Sequence, residues 1–120
     1  MRVVLLDTQT TFRESFRIAL RQEGIEVLAD DDAARRVYDA LPTNRPDLIV
    51  SEFFLSDTDV VSVVHELGRR EIGVHVMALT AQDNGLFVRE ALRGGVRGYA
   101  LKNEPLANVI DGMRRVLAGE

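Results

Sequence analysis

The sequence predicts an α/β protein with a doubly wound, five-stranded parallel sheet. Short apolar segments rich in β-branched residues alternate along the whole chain with segments whose apolar residues recur at helical spacing. The strand segments are apolar almost throughout instead of alternating with polar residues. This pattern is typical of parallel strands that are covered by helices on both faces.

Five segments have the composition of buried strands. In chain order they are VVLL (3–6), IEVLA (25–29), DLIVS (47–51), VHVMALT (74–80) and GYAL (98–101). Since a helical segment separates each strand from the next, we expect parallel pairing with right-handed crossovers.

A segment of helical period follows every predicted strand, and its apolar residues mark the face that packs on the sheet. In chain order these residues are Phe12, Phe16, Ala19 and Leu20; Ala34, Val37, Tyr38 and Leu41; Val60, Val63, Val64 and Leu67; Phe87, Val88, Ala91 and Leu92; and Leu106, Val109, Ile110, Met113, Val116 and Leu117. We expect Thr10 or Thr11 to cap the first helix, Gly24 to stop it, and Pro42 to end the second.

Composition indicates one folded domain over residues 1–120. The length is that of a single domain, and the hydrophobic fraction of 46% is ordinary for a globular protein. The absence of cysteine excludes disulfides and thiolate metal sites. A net charge of −4 argues against nucleic-acid binding by this segment. The chain has no apolar run long enough to span a bilayer and no leader pattern, so we expect a cytoplasmic location without membrane contact.

Polar residues stand where four of the predicted strands end. Asp7 and Thr8 follow the first strand, Glu52 follows the third, Thr80 ends the fourth, and Lys102 follows the fifth. Lys102 is the single lysine among 15 basic residues. Functional groups of open parallel sheets gather at the carboxyl ends of the strands, so these side chains are the candidate site.

This arrangement resembles the receiver domain of two-component response regulators, in the class that carries a LuxR-type helix-turn-helix output. RVVLLDTQTTFRESFRIAL (2–20) is similar to the opening of such receivers, and GYALKNEPLANVIDGMRRVLAG (98–119) to their last strand and helix. PDLIVSEFFLSDTDVV (46–61) aligns with the acceptor strand and its loop. The resemblance implies a flavodoxin-like (βα)5 fold with strand order 2-1-3-4-5, and a phosphorelay module in transcription regulation that is not itself an enzyme.

The resemblance also implies a role for each site residue. In the family, two acids after the first strand and an aspartate after the third hold Mg²⁺, and that aspartate accepts a phosphoryl group from a histidine kinase. Asp7 and Thr8 match the acidic pair, and Glu52 matches the acceptor. Thr80 and Lys102 match the residues that contact the phosphoryl oxygens.

Two further positions match by family pattern. Tyr99 takes the place of the switch aromatic, for which an ordinary half-buried strand tyrosine is the competing interpretation. Phe54 takes the place of the residue whose backbone carbonyl binds the metal. We expect Phe53 in the core and Phe54 at the surface.

The chain departs from the family at Thr8 and Glu52. Thr8 offers Mg²⁺ a neutral hydroxyl in place of a carboxylate, and Glu52 carries the carboxyl group on a longer stem. In-line phosphoryl transfer is sensitive to displacements of about 1 Å. We therefore expect a vestigial acceptor, no cofactor, and Mg²⁺ that does not bind or binds only weakly. We also expect a Glu52–Lys102 ion pair that takes over part of the role of a phosphoryl group.

Other interpretations remain open. The site residues could form an ion network without a signalling role, accept phosphate weakly at Glu52, or bind a small molecule in the acidic pocket. We expect the domain to form a homodimer and to reach nucleic acid only through a further domain downstream. The residues Arg13, Arg17 and Arg21 are expected to form a solvated face, with protein contact as the next interpretation.

Overall fold

A single five-stranded parallel sheet lies at the centre of the molecule. This computed structural model describes residues 1–81 and 84–119, so the last position of the predicted domain, residue 120, lies outside it. The strands are β1 (Arg2–Leu6), β2 (Glu26–Asp31), β3 (Leu48–Ser51), β4 (His75–Thr80) and β5 (Gly98–Leu101). Their order across the sheet is β2-β1-β3-β4-β5, and every neighbouring pair is parallel, as predicted.

Four α-helices connect or follow these strands within the described residues. They are α1 (Thr10–Gln22), α2 (Val60–Arg69), α3 (Gly85–Arg93) and α4 (Leu106–Leu117). Gly24, at a φ of 77°, follows the end of α1 in the left-handed conformation that glycine adopts without strain, which confirms the predicted stop.

The short helix predicted after β2 is of the 3-10 type and is divided in two. Two short 3-10 helices, Ala34–Arg36 and Tyr38–Ala40, occupy this segment. The four residues predicted to face inward, Ala34, Val37, Tyr38 and Leu41, are nevertheless buried. The carboxylate of Asp57 accepts hydrogen bonds from the backbone nitrogens of Ala34 and Arg35, at 3.0 and 2.9 Å, and so holds the first turn in place from another loop.

The sheet has one hydrophobic core on each face because neighbouring strand residues point to opposite sides. Val3 and Leu5 of β1 pack with α1 and α4, whereas Val4 and Leu6 pack with the 3-10 segment, α2 and α3. No helix among the described residues is long and apolar enough to cross a membrane.

Two arginines of α1 form ion pairs with Asp30 of β2 and are not part of a solvated face. Arg13 Nε lies 3.0 Å from Asp30 Oδ1, and Arg17 Nη1 lies 2.8 Å from Asp30 Oδ2. Burial favours a higher pKa for Asp30, but the hydrogen bonds from Arg17 and Arg13 outweigh it and hold that pKa below its usual value. The expectation is therefore wrong for Arg13 and Arg17, while Arg21 is exposed.

Candidate functional site

The parallel register brings the carboxyl ends of four strands to one edge of the sheet. Backbone hydrogen bonds extend the ladder past the strand ends: the nitrogen of Glu52 donates to the oxygen of Leu6, and that of Lys102 to the oxygen of Thr80. The side chains that follow β1, β3 and β5 therefore start from fixed positions. Asp7, Glu52 and Lys102 meet at this edge.

Lys102 lies between the two carboxylates. Its Nζ is 2.7 Å from Asp7 Oδ2 and 2.7 Å from Glu52 Oε2. The side chains are largely withdrawn from water, with exposed fractions of 7% for Lys102, 6% for Asp7 and 15% for Glu52. Charges in such surroundings interact more strongly than they would in water, so this is the dominant electrostatic contact of the site.

Two further residues complete the surroundings of the ammonium, and neither was predicted from the sequence. Gln9 Oε1 accepts a hydrogen bond from Lys102 Nζ at 2.6 Å, and the ring centre of Phe12 lies 4.4 Å from the same nitrogen. Gln9, and neither Thr10 nor Thr11, is the N-cap residue of α1, and its side chain makes no capping bond. The sequence signal for Gln9 is its position, two residues after Asp7 and directly before the first helix.

Each carboxylate divides its oxygens between Lys102 and the backbone. Asp7 Oδ1 accepts from the nitrogen of Gln9 at 2.8 Å, and Glu52 Oε1 accepts from the nitrogen of Phe53 at 3.0 Å. One oxygen of each group therefore bonds to a neutral donor and the other to the ammonium. The site holds two carboxylates and one ammonium, so its formal charge is −1 when all three are ionised.

The remaining predicted residues lie around this cluster. Thr80 is buried, and together with Thr8, Gln9 and Glu52 it lines an open cleft beside the cluster. Thr8 itself is exposed. Tyr99 is 45% exposed.

The two phenylalanines after Glu52 separate as the sequence predicts. Phe53 is buried, whereas Phe54 is 60% exposed. Both rings meet Phe87 of α3 edge to face, at centre distances of 6.1 and 5.7 Å. The loop that begins at Glu52 is thereby in contact with α3.

The same loop is fastened to the segment after β2. The nitrogen and hydroxyl of Ser56 both donate to the backbone oxygen of Asp32, and Asp57 accepts from the nitrogens of Ala34 and Arg35. Burial favours a higher pKa for Asp57, but the N–H groups of Arg35 and Ala34 outweigh it and hold that pKa below its usual value.

Comparison with known families agrees with this geometry. Residues 3–114 match the model of the response regulator receiver domain. The chain belongs to this receiver family. The match covers both the strand ends that form the cluster and the helices that surround them.

The curated relatives of this chain include transcription regulators. The chain is 30% identical over 121 aligned residues to the virulence regulator BvgA of Bordetella pertussis, covering 98% of this chain and 56% of the relative. It is 26% identical to the transcriptional regulatory protein DegU of Brevibacillus brevis, covering 99% of this chain and 51% of that protein. The chain thus spans about half the length of the curated relatives it matches.

Solved receiver structures share the fold. The receiver domain of the response regulator NarL from Mycobacterium tuberculosis superposes with a TM-score of 0.89 at 23% identity, over 99% of this chain and 97% of that one. A LuxR-family regulator from Aurantimonas gives 0.88 at 22% identity, over 99% and 86% of the two chains. At these identities the likeness establishes the architecture alone.

Proposed function

We propose that this receiver domain signals without phosphorylation, as a dimerisation module of a transcription regulator whose DNA-binding part lies elsewhere in the protein. The observation that carries the proposal is the position of Lys102 Nζ, 2.7 Å from an oxygen of both Asp7 and Glu52. The ion pair at the acceptor position fixes Lys102 in one arrangement. A phosphoryl group would otherwise supply the negative charge that Lys102 binds here.

The donor set does not fit a Mg²⁺ ion. Magnesium requires near-octahedral oxygen coordination at about 2.1 Å and relies on carboxylates. Both carboxylates already contact the ammonium, and the position of the second acid holds Thr8, which is exposed and neutral. A cation would have to displace Lys102 to reach both groups, so we expect no saturable Mg²⁺ shifts in NMR spectra at physiological concentration.

Glu52 is also poorly arranged to attack a phosphoryl group. One of its carboxylate oxygens bonds to the nitrogen of Phe53 and the other to Lys102. The side chain must leave both partners before either oxygen can act as a nucleophile. Its negative charge remains smaller than that of a phosphoryl group, which carries roughly −1.5 to −2 at neutral pH, so the ion pair replaces only part of the phosphorylated state.

Incubation with acetyl phosphate and Mg²⁺, followed by intact-mass measurement, tests the proposal. We expect no phosphoryl adduct on the natural domain and a measurable adduct on the double variant Thr8→Asp, Glu52→Asp, because the variant restores the ligating acid and the shorter acceptor. The single variant Thr8→Asp is the matched control, since it restores the acid alone. A phosphoryl group on Glu52 of the natural domain would refute the proposal and favour weak conventional phosphorylation.

A further inference from the structure

An apolar groove runs between α2 and α3, next to the loop that begins at Glu52. We call it the α2–α3 groove. It encloses about 430 Å³, which lies within the range of about 300–1,000 Å³ for ligand-binding clefts. The apolar residues that line it are Phe53, Phe54, Val60, Val61, Phe87 and Ala91.

The C-terminal end of α3 lies close to α2. A Cβ atom at Gly94 would lie 2.7 and 3.0 Å from the two γ carbons of Val61, and one at Gly95 would lie 2.9 Å from a γ carbon of Val64. The C-terminal end of α3 can therefore approach α2 closely because glycine stands there. Phe54 lines the groove and is 60% exposed.

The charged residues that line the α2–α3 groove indicate which charge its partner should carry. Of the described residues that line the groove, the two with carboxylate side chains are Asp59 and Glu90, and none is lysine or arginine. Glu90 has a pairing partner on its own helix, Arg93, at 3.7 Å, but both side chains are mostly exposed. Such a pair is weak, so the carboxylate stays available to a stronger partner.

We infer that the α2–α3 groove is a docking site for a basic amphipathic helix of a partner protein. A helix that lays an apolar ridge into the cleft would cover Phe54 and Phe87, and lysine or arginine residues beside the ridge would face Asp59 and Glu90. The partner helix would then pack between α2 and α3. The inference holds whether or not Glu52 is phosphorylated, since none of these contacts involves the acceptor carboxylate.

The test uses a synthetic amphipathic helix of leucine and lysine with one central phenylalanine, and a counterpart in which glutamate replaces every lysine. Each is titrated into the isotope-labelled domain and followed by NMR. We expect shifts that cluster at Phe54, Ser62 and Phe87, and an affinity for the lysine peptide at least about tenfold higher than for the glutamate peptide. Shifts at other sites, equal affinity for both peptides, or no binding would overturn the inference.

Two pairs of variants separate groove binding from general attraction to an acidic protein. Phe54→Ser removes the exposed ring, with Ile18→Ser as its control because Ile18 is exposed on α1. Ser62→Arg adds bulk and positive charge to the groove wall, with Thr43→Arg as its control in an exposed loop. We expect each groove variant to weaken binding about tenfold and each control to leave it unchanged.

Sedimentation of the two groove variants and of Thr43→Arg addresses the competing occupant, a second copy of this chain. If Phe54→Ser or Ser62→Arg abolished self-association while Thr43→Arg did not, the groove would be a dimer contact and the proposed partner helix would be wrong. Thermal unfolding of each variant guards against loss of the fold. If one groove variant unfolds, the other groove variant and its control are used for both measurements.

Discussion

Lys102 supplies one positive charge to two carboxylates that lie on either side of it. Without the ammonium, Asp7 and Glu52 would lie close together, partly buried and uncompensated. The pair Arg115–Asp111 on α4 has a comparable separation between nitrogen and oxygen, 3.1 Å, but both side chains are mostly exposed. The two pairs therefore differ in burial, and burial should determine how much each contributes to the free energy of unfolding.

We expect Lys102→Met to lower the free energy of unfolding at neutral pH by roughly 3 kcal/mol, the lower end for breaking a buried ion pair. The control Arg115→Met should cost less than about 0.5 kcal/mol, because exposed pairs contribute little. Urea denaturation measures both. If Glu52→Gln is added to Lys102→Met, part of the loss should return, since one of the facing charges is removed; equal losses in the single and double variants would contradict the ion-pair account.

At the scale of secondary-structure elements, the segment after β2 depends on a side chain from another loop. Asp57 accepts from the first two backbone nitrogens of the 3-10 helix Ala34–Arg36, as a capping residue does, but from 22 to 23 positions away in sequence. This contact joins the loop that carries Phe54 to the edge of the sheet.

We expect Asp57→Ala to destabilise the domain at neutral pH by about 1–2 kcal/mol, the effect of losing a cap. The pKa of Asp57 is lowered in the fold, so its contribution is present above its unfolded value near 3.8 and is lost as the pH falls below that value. The natural domain should therefore lose more stability than Asp57→Ala between about pH 5 and about pH 3. Urea denaturation at several pH values measures this difference.

Asp39→Ala is the matched control, because Asp39 pairs with Arg70 while 95% of its side chain is exposed. It should change stability by less than about 0.5 kcal/mol. Parallel acid dependence in the natural domain and Asp57→Ala would mean that the carboxylate does not hold the 3-10 turn.

The contact between α2 and α3 gives a second prediction at this scale. A methyl group at Gly94 would meet both γ carbons of Val61, and a β-branched side chain in a helix cannot rotate away from both contacts. Gly94→Ala should destabilise the domain by about 1–3 kcal/mol through overpacking. Gly68→Ala in α2 meets no atom within 4 Å and should stabilise it by up to about 1 kcal/mol. Denaturant midpoints compare the two; a neutral Gly94→Ala would show that the helices can separate freely.

Fewer charged residues are available for a contact between two copies of the domain than the sequence alone indicates. Arg13 and Arg17 of α1 are paired with Asp30 inside the molecule, so α1 offers Arg21 and Glu14 to a second copy. On α4, Asp111 pairs with Arg115 and leaves Arg114 exposed. Opposite charges on the two helices still permit a symmetric pair.

We expect the domain to self-associate without phosphorylation, with a dimer detectable by sedimentation at about 100 µM. Glu52→Gln should weaken it, because the neutral amide holds Lys102 less firmly and so relaxes the end of β5 near Tyr99. Asp39→Gln, on an exposed side chain of the 3-10 helix Tyr38–Ala40, is the control. A dimer that Glu52→Gln leaves unchanged would separate dimerisation from the ion pair, and a strict monomer would exclude self-association of this domain.

The fold and the places of the candidate site residues along the chain can be predicted from the residue pattern alone. Hydrophobic period marks each strand and helix locally, and parallel topology then requires Asp7, Glu52, Thr80 and Lys102 to start from one edge of the sheet. Helix termini follow less directly from the sequence. The pattern predicts a threonine as the cap of α1, whereas Gln9 holds that position and its side chain bonds to Lys102.

The partners of these side chains are set by the packing of the elements against one another. The ring of Phe12 beneath Lys102, the pairing of Arg13 and Arg17 with Asp30, and the 3-10 turns held by Asp57 all join residues distant in sequence. Local periodicity predicts which face of a helix or strand is apolar. It does not predict which charged group of another element will lie next to that face. That choice is made when the elements pack, because a charge withdrawn from water must find a partner among the groups that packing has placed within reach.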